Sequence, residues 1–330
     1  MSVVRDALLA SLSDPSFMER ELRAGLSPFL MPPGEHAMEL RLVDVEDREA
    51  VLAELKGGSE APLVLSAFAD IEDAAHAHRV AQELWDAGFD ERSRYRVPRP
   101  LALIEGDGLL VSEGTPGIPL VKLVDRRATE AVRQVTETGA WLALMHSADI
   151  RVGSPWLPWR SVEALSVHLR ARRRVVDAHR EVFRDMVKRL APLAGRASEW
   201  TWVQTHGRFR PDRVMAAPGM LTVDDFVRSC PGDPSRDIAE FVFHLRRRAA
   251  FTEGIRADAL EPAFLDGYLA NASEEHFDNV SFYAGCAVLT SMVADAPSLT
   301  VDMKEWIEWH QDEFDRWVMP SPIHVLIPTA

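Results

Sequence analysis

Three arginines, Arg208, Arg210 and Arg213, share a short segment with His206 and Asp212, and two consecutive aspartates, Asp224 and Asp225, follow soon after. Guanidinium groups stay protonated at neutral pH and offer forked N–H donors that match phosphate or carboxylate oxygens. Carboxylates attract cations instead, and two of them with substrate oxygens suffice to hold Mg2+. The combination therefore reads in two ways. Arg208, Arg210, Arg213, Asp224 and Asp225 form either an anion-binding set or a closed cluster in which an arginine serves as the aspartate's counter-ion. Asp212 with Asp225 is the candidate carboxylate pair for a divalent metal, Asp225 being the stronger single candidate. Further on, Asp233-Pro234 reads as a turn opening a helix. Asp237 reads as an acceptor of backbone N–H bonds and His206 as a structural histidine.

The elements that must position these residues change character along the chain. Short β-like runs at 38–45, 50–55 and 63–68 precede an alanine-rich helix over 70–87 that ends at Gly88, a residue suited to the left-handed C-cap. Strand-like segments at 101–105 and 109–113 flank Gly106-Asp107-Gly108, which is hairpin chemistry. About five antiparallel strands with one helix result. Beyond residue 115 apolar spacing near 3.6 marks helices at 128–146, 162–193, 238–250, 259–269, 274–294 and 302–318. A non-helical island at 201–236, with strand-like pieces at 214–215 and 221–223, carries the charged residues above, and such loops commonly hold sites. The expected division is a helical extension at 1–37, a β-rich lobe at 38–114 and a helical lobe at 115–330.

The 37 basic and 51 acidic side chains leave a formal charge of −14, which argues against a surface that follows nucleic-acid phosphates. Two cysteines, Cys230 and Cys286, form no CxxC pair, so neither a disulfide framework nor a thiolate metal site is indicated. The first 29 residues mix charges into apolar positions unlike a signal peptide, and no apolar run approaches the ~20 residues of a membrane span. A cytoplasmic protein without membrane or nucleic-acid partners is expected. The basic run at 170–174 reads as a solvated helix face. Trp156 and Trp159 are aromatics between prolines, read as packing before pocket, and Trp306, His310, Glu313 and Trp317 share one helical face.

Thr205-His206-Gly207-Arg208-Phe209-Arg210-Pro211-Asp212-Arg213-Val214 is similar to HGDxHPxNV, the catalytic loop of the aminoglycoside phosphotransferase and choline kinase-like family. Leu221-Thr222-Val223-Asp224-Asp225-Phe226 and Gly232-Asp233-Pro234-Ser235-Arg236-Asp237-Ile238-Ala239 resemble its xIDF and GDPxxDLA motifs. Val97-Pro98-Arg99-Pro100, Glu113-Gly114-Thr115-Pro116-Gly117, Gly139…Leu142-Ala143…His146 and Phe264-Leu265…Gly267-Tyr268 resemble further landmarks. The resemblance implies an α+β, protein-kinase-like two-lobed fold: a small antiparallel sheet with one helix, then a larger, mainly helical lobe.

The same resemblance exposes departures. Phosphoryl transfer needs a base, a metal held by two ligands, a lysine–glutamate pair and a loop over the phosphates. The base position is Arg208 and the second metal ligand is Arg213, a fixed cation where the metal belongs. The turn at 44–49 carries four carboxylates instead of glycines. No lysine stands near Ser66 or Ala67, and no glutamate at His76, Ala77 or His78. The implied protein is a pseudokinase without cofactor that binds a protein partner or a phosphate- or carboxylate-bearing small molecule in the former nucleotide cleft. The alternatives are a divergent Mg-ATP phosphotransferase using Asp212 and Asp225 on a hydroxyl or amino acceptor, or a repurposed enzyme of the arginine-lined cleft.

Overall fold

The computed structural model describes residues 39–43, 50–56, 62–104, 108–126, 129–196, 202–294 and 302–318. The extension at 1–37, the acidic turn at 44–49 and Gly106-Asp107 of the hairpin lie outside the described residues.

The first unit runs up to Pro119 and includes Arg213–Ser229. Its strands β1 (Glu39–Val43), β2 (Ala50–Lys56), β3 (Leu63–Phe68), β5 (Pro100–Ile104) and β6 (Leu109–Glu113) form a five-stranded antiparallel sheet in the order β1-β2-β3-β6-β5. Helix α1 (Ile71–Asp86) begins where the Asp70 carboxylate accepts the Glu72 N–H at 2.9 Å, and Gly88 at φ +102° follows its end. Its buried stripe, Ala74, Ala77, Val80, Ala81 and Leu84, keeps the helical period. Phe68 and Val227 complete an apolar cluster with Ala74 and Ala77.

A second sheet joins strands from both sides of residue 114. Strands β4 (Tyr95–Arg96), β7 (Ile118–Pro119), β9 (Val214–Ala217) and β10 (Met220–Val223) pair in the order β4-β10-β9-β7, with β10 parallel to β4. This pairing carries Arg213–Ser229 into the β-rich unit, although the whole island was expected in the helical one. Two-residue strands such as β4 and β7 are too short to show an alternating pattern, so the sheet is written in long-range pairing alone.

The second unit comprises Leu120–Asp212 and Cys230–Ala330. Its described elements are α2 (Leu120–Asp125), α3 (Thr129–Ser147), α4 (Pro158–Ala171), α5 (Arg173–Ala178), α6 (Arg180–Arg196), β8 (Val203–Thr205), β11 (Cys230–Gly232), α7 (Ser235–Phe251), α8 (Ala257–Leu269), α9 (Val280–Ala294) and α10 (Met303–Val318). Strands β8 and β11 pair antiparallel and bracket the segment 206–229. Helices α3 and α8 meet at two glycines: a Cβ on Gly139 would lie 2.1 Å from Phe264 O, and one on Gly267 would lie 1.9 Å from Thr136 O. The landmark glycines of both helices are thus contact points.

Two long helices expected from periodicity are broken. The stretch 162–193 divides into α4, α5 and α6 at Arg172 and His179, whose ψ values of 35° and 34° are not helical. Helix α5 buries no residue, so packing does not enforce a continuous axis there. The stretch 274–294 opens with a 3-10 turn, Glu274–Phe277, capped by Ser273, before α9 begins. Helix α9 is apolar on every side and almost wholly buried, as a central helix must be. Trp306, His310, Glu313 and Trp317 of α10 are all buried and belong to the core. Among the described residues no helix is long and apolar enough to cross a membrane.

Candidate functional site

The β-rich unit holds a cavity of about 80 Å³ against the inner face of its main sheet. Strand β3 contributes Ser66 to the wall, and α1 contributes Ala77 and Ala81, one turn apart. The sequence left the register of the lysine and glutamate positions open among neighbours. In the structure the side chains that line the cavity from these two elements are Val64, Ser66 and Phe68 of β3 and Ala77 and Ala81 of α1, none of them ionisable. Ala67 is buried, and the ring Nε2 of His76 is 2.7 Å from Ser229 O.

The far wall is Asp224, Asp225 and Phe226, directly after β10. The Asp224 N–H donates to Arg213 O at 3.1 Å, which fixes the start of this segment against the end of the preceding turn. Asp225 has φ 74° and ψ 61°, the one non-glycine with positive φ among the described residues. A left-handed aspartate stores strain of order 1–2 kcal/mol, and such strain persists where the surroundings over-determine the residue. The surroundings here are Arg213: its Nε lies 2.8 Å from Asp225 Oδ2, with Arg213 fully buried and the Asp225 side chain 6% exposed. The two atoms meet as an ion pair, without the alignment of a hydrogen bond.

The third wall is the end of β6. Glu113 donates its backbone N–H to Arg99 O at 3.0 Å, and Gly114 N donates to Pro62 O at 2.6 Å. A Cβ on Gly114 would lie 2.7 Å from that same oxygen, so this approach needs glycine. Among the described residues, Glu113, Asp224 and Asp225 are the ionisable groups of the lining, with no lysine, arginine or histidine beside them.

In the helical unit the segment after β8 is held by Asp237 near the start of α7. Its Oδ2 accepts from His206 N–H at 2.6 Å and its Oδ1 from Gly207 N–H at 2.8 Å. Arg208 N–H in turn reaches His206 Nδ1 at 3.3 Å. Phe209 is buried, stacked on Trp141 at 5.8 Å and beside Phe241 at 5.2 Å, which anchors the segment from below. Burial disfavours the charged form of Asp237, yet the hydrogen bond from His146 and the positive charges of His146, His206 and Arg236 prevail and hold it below the usual carboxylate range. Asp233 goes the other way: burial raises it, against donors from Ser235 and Asn279.

Asp237 also starts a buried chain of hydrogen bonds that sequence reading missed. His146 Nε2 lies 3.1 Å from Asp237 Oδ2, His146 Nδ1 2.7 Å from Tyr268 Oη, and Tyr268 Oη 2.6 Å from His276 Nδ1. With Asp237 ionised, His146 donates through Nε2. Tyr268 Oη, with one proton to give, donates to one of these two Nδ1 atoms and accepts from the other. Burial, then the charge of His146, keeps His276 neutral with a pKa lowered to about 4.

The predicted arginines part company. Arg213 belongs to the β-rich unit, paired with Asp225, while Arg208 and Arg210 belong to the helical one. Arg210 Nε lies 3.2 Å from Asp212 Oδ1. On α7, Glu240 Oε1 lies 3.2 Å from His244 Nε2. Burial would raise Glu240, but the His244 hydrogen bond and the charges of His244, Arg210 and Arg208 bring it down to about 2. Burial and the charges of Arg210 and Arg247 hold His244 at about 4. Neither Glu240 nor His244 carried a motif, and only their i,i+4 spacing hinted at a pair. Trp156 lies under the Arg236 guanidinium at 4.2 Å, whereas Trp159 is exposed.

Among the described residues, the ionisable groups that line this cavity are carboxylates, which offer a triphosphate no cationic partner, and Arg213 lies against Asp225 Oδ2, where its charge opposes a metal ion. Among the described residues no three His, Cys, Asp or Glu side chains converge as metal ligands.

Comparison with known proteins places this geometry. Residues 44–280 match the family model described as phosphotransferase enzyme family. Amicoumacin kinase hAmiN, solved with AMP-PNP, Ca2+ and Ami, superposes with a TM-score of 0.66 at 13% identity, over 98% of this chain and 99% of that one. Plasmodium vivax ethanolamine kinase gives 0.58 at 12%, over 86% and 83%. A thermostable mutant of aminoglycoside phosphotransferase APH(4)-Ia gives 0.58 at 16%, over 86% and 94%. At these identities the likeness establishes the fold, which is protein-kinase-like. No curated protein sequence matches the chain.

Proposed function

This chain belongs to the phosphotransferase enzyme family, and we propose that it is a pseudokinase: a member that has given up phosphoryl transfer and acts by binding. The observation that carries the reading is the buried Arg213–Asp225 ion pair. By the motif resemblance these two positions hold the metal in active relatives. Here one is a guanidinium that neutralises the other, so a divalent ion has no charge left to satisfy and meets a fixed cation. The neutral cavity-facing positions Ser66, Ala77 and Ala81 and the arginine at position 208 point the same way, because phosphate anchoring and general-base help would be missing together. Among the described residues the ionisable groups that line this cavity are carboxylates, which favours a ligand without negative charge there.

The rival reading, a divergent ATP-dependent phosphotransferase on a hydroxyl or amino acceptor, draws support from the family match and from the kinases among the solved neighbours. It would rely on Asp212 and Asp225, each of which already faces an arginine. Melting with excess Mg-ATP separates the two, since a ligand at ~100 times its Kd adds ~2.7 kcal/mol and moves the midpoint by several degrees. We expect no Mg2+-dependent shift and no loss of the γ-phosphoryl group from ATP. A shift that requires Mg2+, or phosphorylated product from a pool of amines, sugars and aminoglycosides, overturns the reading.

A further inference from the structure

The cavity that no longer suits a nucleotide is still a cavity, and its chemistry is specific. Ala77 and Ala81 lie on the buried stripe of α1, where larger apolar residues would have filled the space. Instead the two methyl groups leave room between the helix, Phe68 and Phe226, while Pro98 and Pro100 stiffen the mouth. Most of the wall is apolar, which suits a compact hydrophobic body. The polar remainder consists of hydroxyls and carboxylates: Ser66, Ser112 and Thr115 beside Glu113, Asp224 and Asp225. Asp225 is matched by Arg213, and Glu113 is the carboxylate whose own N–H donates to the Arg99 carbonyl while the next N–H, of Gly114, donates to the Pro62 carbonyl.

We propose that this pocket binds a small organic cation: a flat apolar body carrying an amine or amidine that donates to Glu113. A lining whose ionisable groups among the described residues are carboxylates attracts such a ligand and repels its carboxylate or phosphate analogue, and the chain's overall charge of −14 reinforces the bias. The geometry favours one charged donor at the β6 end with the ring between α1 and Phe226. This inference rests on the reading that the cleft has lost Mg-ATP, and it names the class of ligand that takes its place.

Benzamidine is a suitable probe, with benzoate as its anionic counterpart. Using the full chain, saturation-transfer NMR and thermal melting should show benzamidine binding in a dose-dependent way and benzoate not binding. Glu113→Gln should weaken benzamidine roughly tenfold, the worth of one charge-assisted hydrogen bond. Ala81→Phe should abolish binding by filling the space; if that variant fails to fold, the Glu113→Gln comparison decides alone. Equal binding of benzoate, no binding of benzamidine, or unchanged affinity in Glu113→Gln would overturn the proposal and leave the pseudokinase reading standing. Phosphoryl transfer from Mg-ATP would overturn that reading, and this one with it.

Discussion

Arg213 Nε and Asp225 Oδ2 lie 2.8 Å apart inside the β-rich unit, and the aspartate has a left-handed backbone conformation. A buried pair of this kind contributes little net stability compared with apolar residues of the same shape, because both charges lose their hydration. Removing one partner is another matter, since the survivor is left buried and uncompensated.

Arg213→Ala is therefore expected to lose about 3–5 kcal/mol in urea unfolding. Arg213→Asn, which restores an uncharged oxygen ligand beside Asp225, should be destabilised without metal and partly recovered by millimolar Mg2+. The wild-type protein should not respond to Mg2+. A wild-type response equal to that of the variant would remove the arginine from its role as counter-ion.

Helices α3 and α8 approach until the backbone at Gly267 faces Thr136 O. Gly267→Ala forces a methyl group to 1.9 Å from that oxygen, which the helices can avoid only by separating along their whole contact. A loss above about 4 kcal/mol, or failure to accumulate folded protein, is expected. Far-ultraviolet circular dichroism with thermal melting would reveal it, with Gly219→Ala as a contrast, since no atom lies within 4 Å of a Cβ there and only its φ of +73° opposes the change.

Acid should destabilise the helical unit in two stages. His276 and His244 stay neutral to about pH 4 when folded but take protons near their ordinary value of 6.5 when unfolded. The unfolded state therefore binds more protons between pH 6.5 and 4, and stability falls as pH drops through that window, by about 3 kcal/mol for each imidazole. Glu240, held at about 2 against 4.5, adds stability that is complete above pH 4.5 and disappears between 4.5 and 2. Urea midpoints at pH 7, 5 and 3.5 would trace both stages. His276→Gln should flatten the first, and an unchanged slope in that variant would contradict the assignment.

Tyr268 accepts from one imidazole and donates to another inside the protein. Tyr268→Phe leaves both His146 and His276 short of a partner and is expected to cost about 2–4 kcal/mol, more than one exposed hydroxyl would explain. If the double variant Tyr268→Phe with His276→Leu regains part of the loss, the coupling between the two side chains is established.

On α7, Arg246 spans Glu313 of α10 and Glu261 of α8, with Nε–Oε1 at 2.5 Å and Nη1–Oε2 at 2.9 Å, and Trp317 Nε1 donates to Glu313 at 2.7 Å. Arg246→Ala should lose about 3–5 kcal/mol by stranding two carboxylates, while Arg246→Met combined with Glu313→Leu and Glu261→Leu should lose much less. Denaturant midpoints would separate these outcomes.

The sequence by itself determined the family, the strand and helix order, and the identity of the charged residues in the loop. These are local facts: alternation in β3 and β6, the Asp70 cap, the apolar stripe of α1, and motif spacing around His206, Asp225 and Asp237 are all visible in neighbouring residues. Which side chain faces which was decided by tertiary structure alone. A one-residue change of register would have exchanged Ser66 for Ala67 at the cavity, because alternate strand residues point to opposite faces. Long-range pairing of β10 with β4 moved Arg213 and Asp225 into one unit and left Arg208 and Arg210 in the other. The His146–Tyr268–His276 chain joins residues far apart in sequence whose burial no local pattern announces, and their protonation follows from that burial.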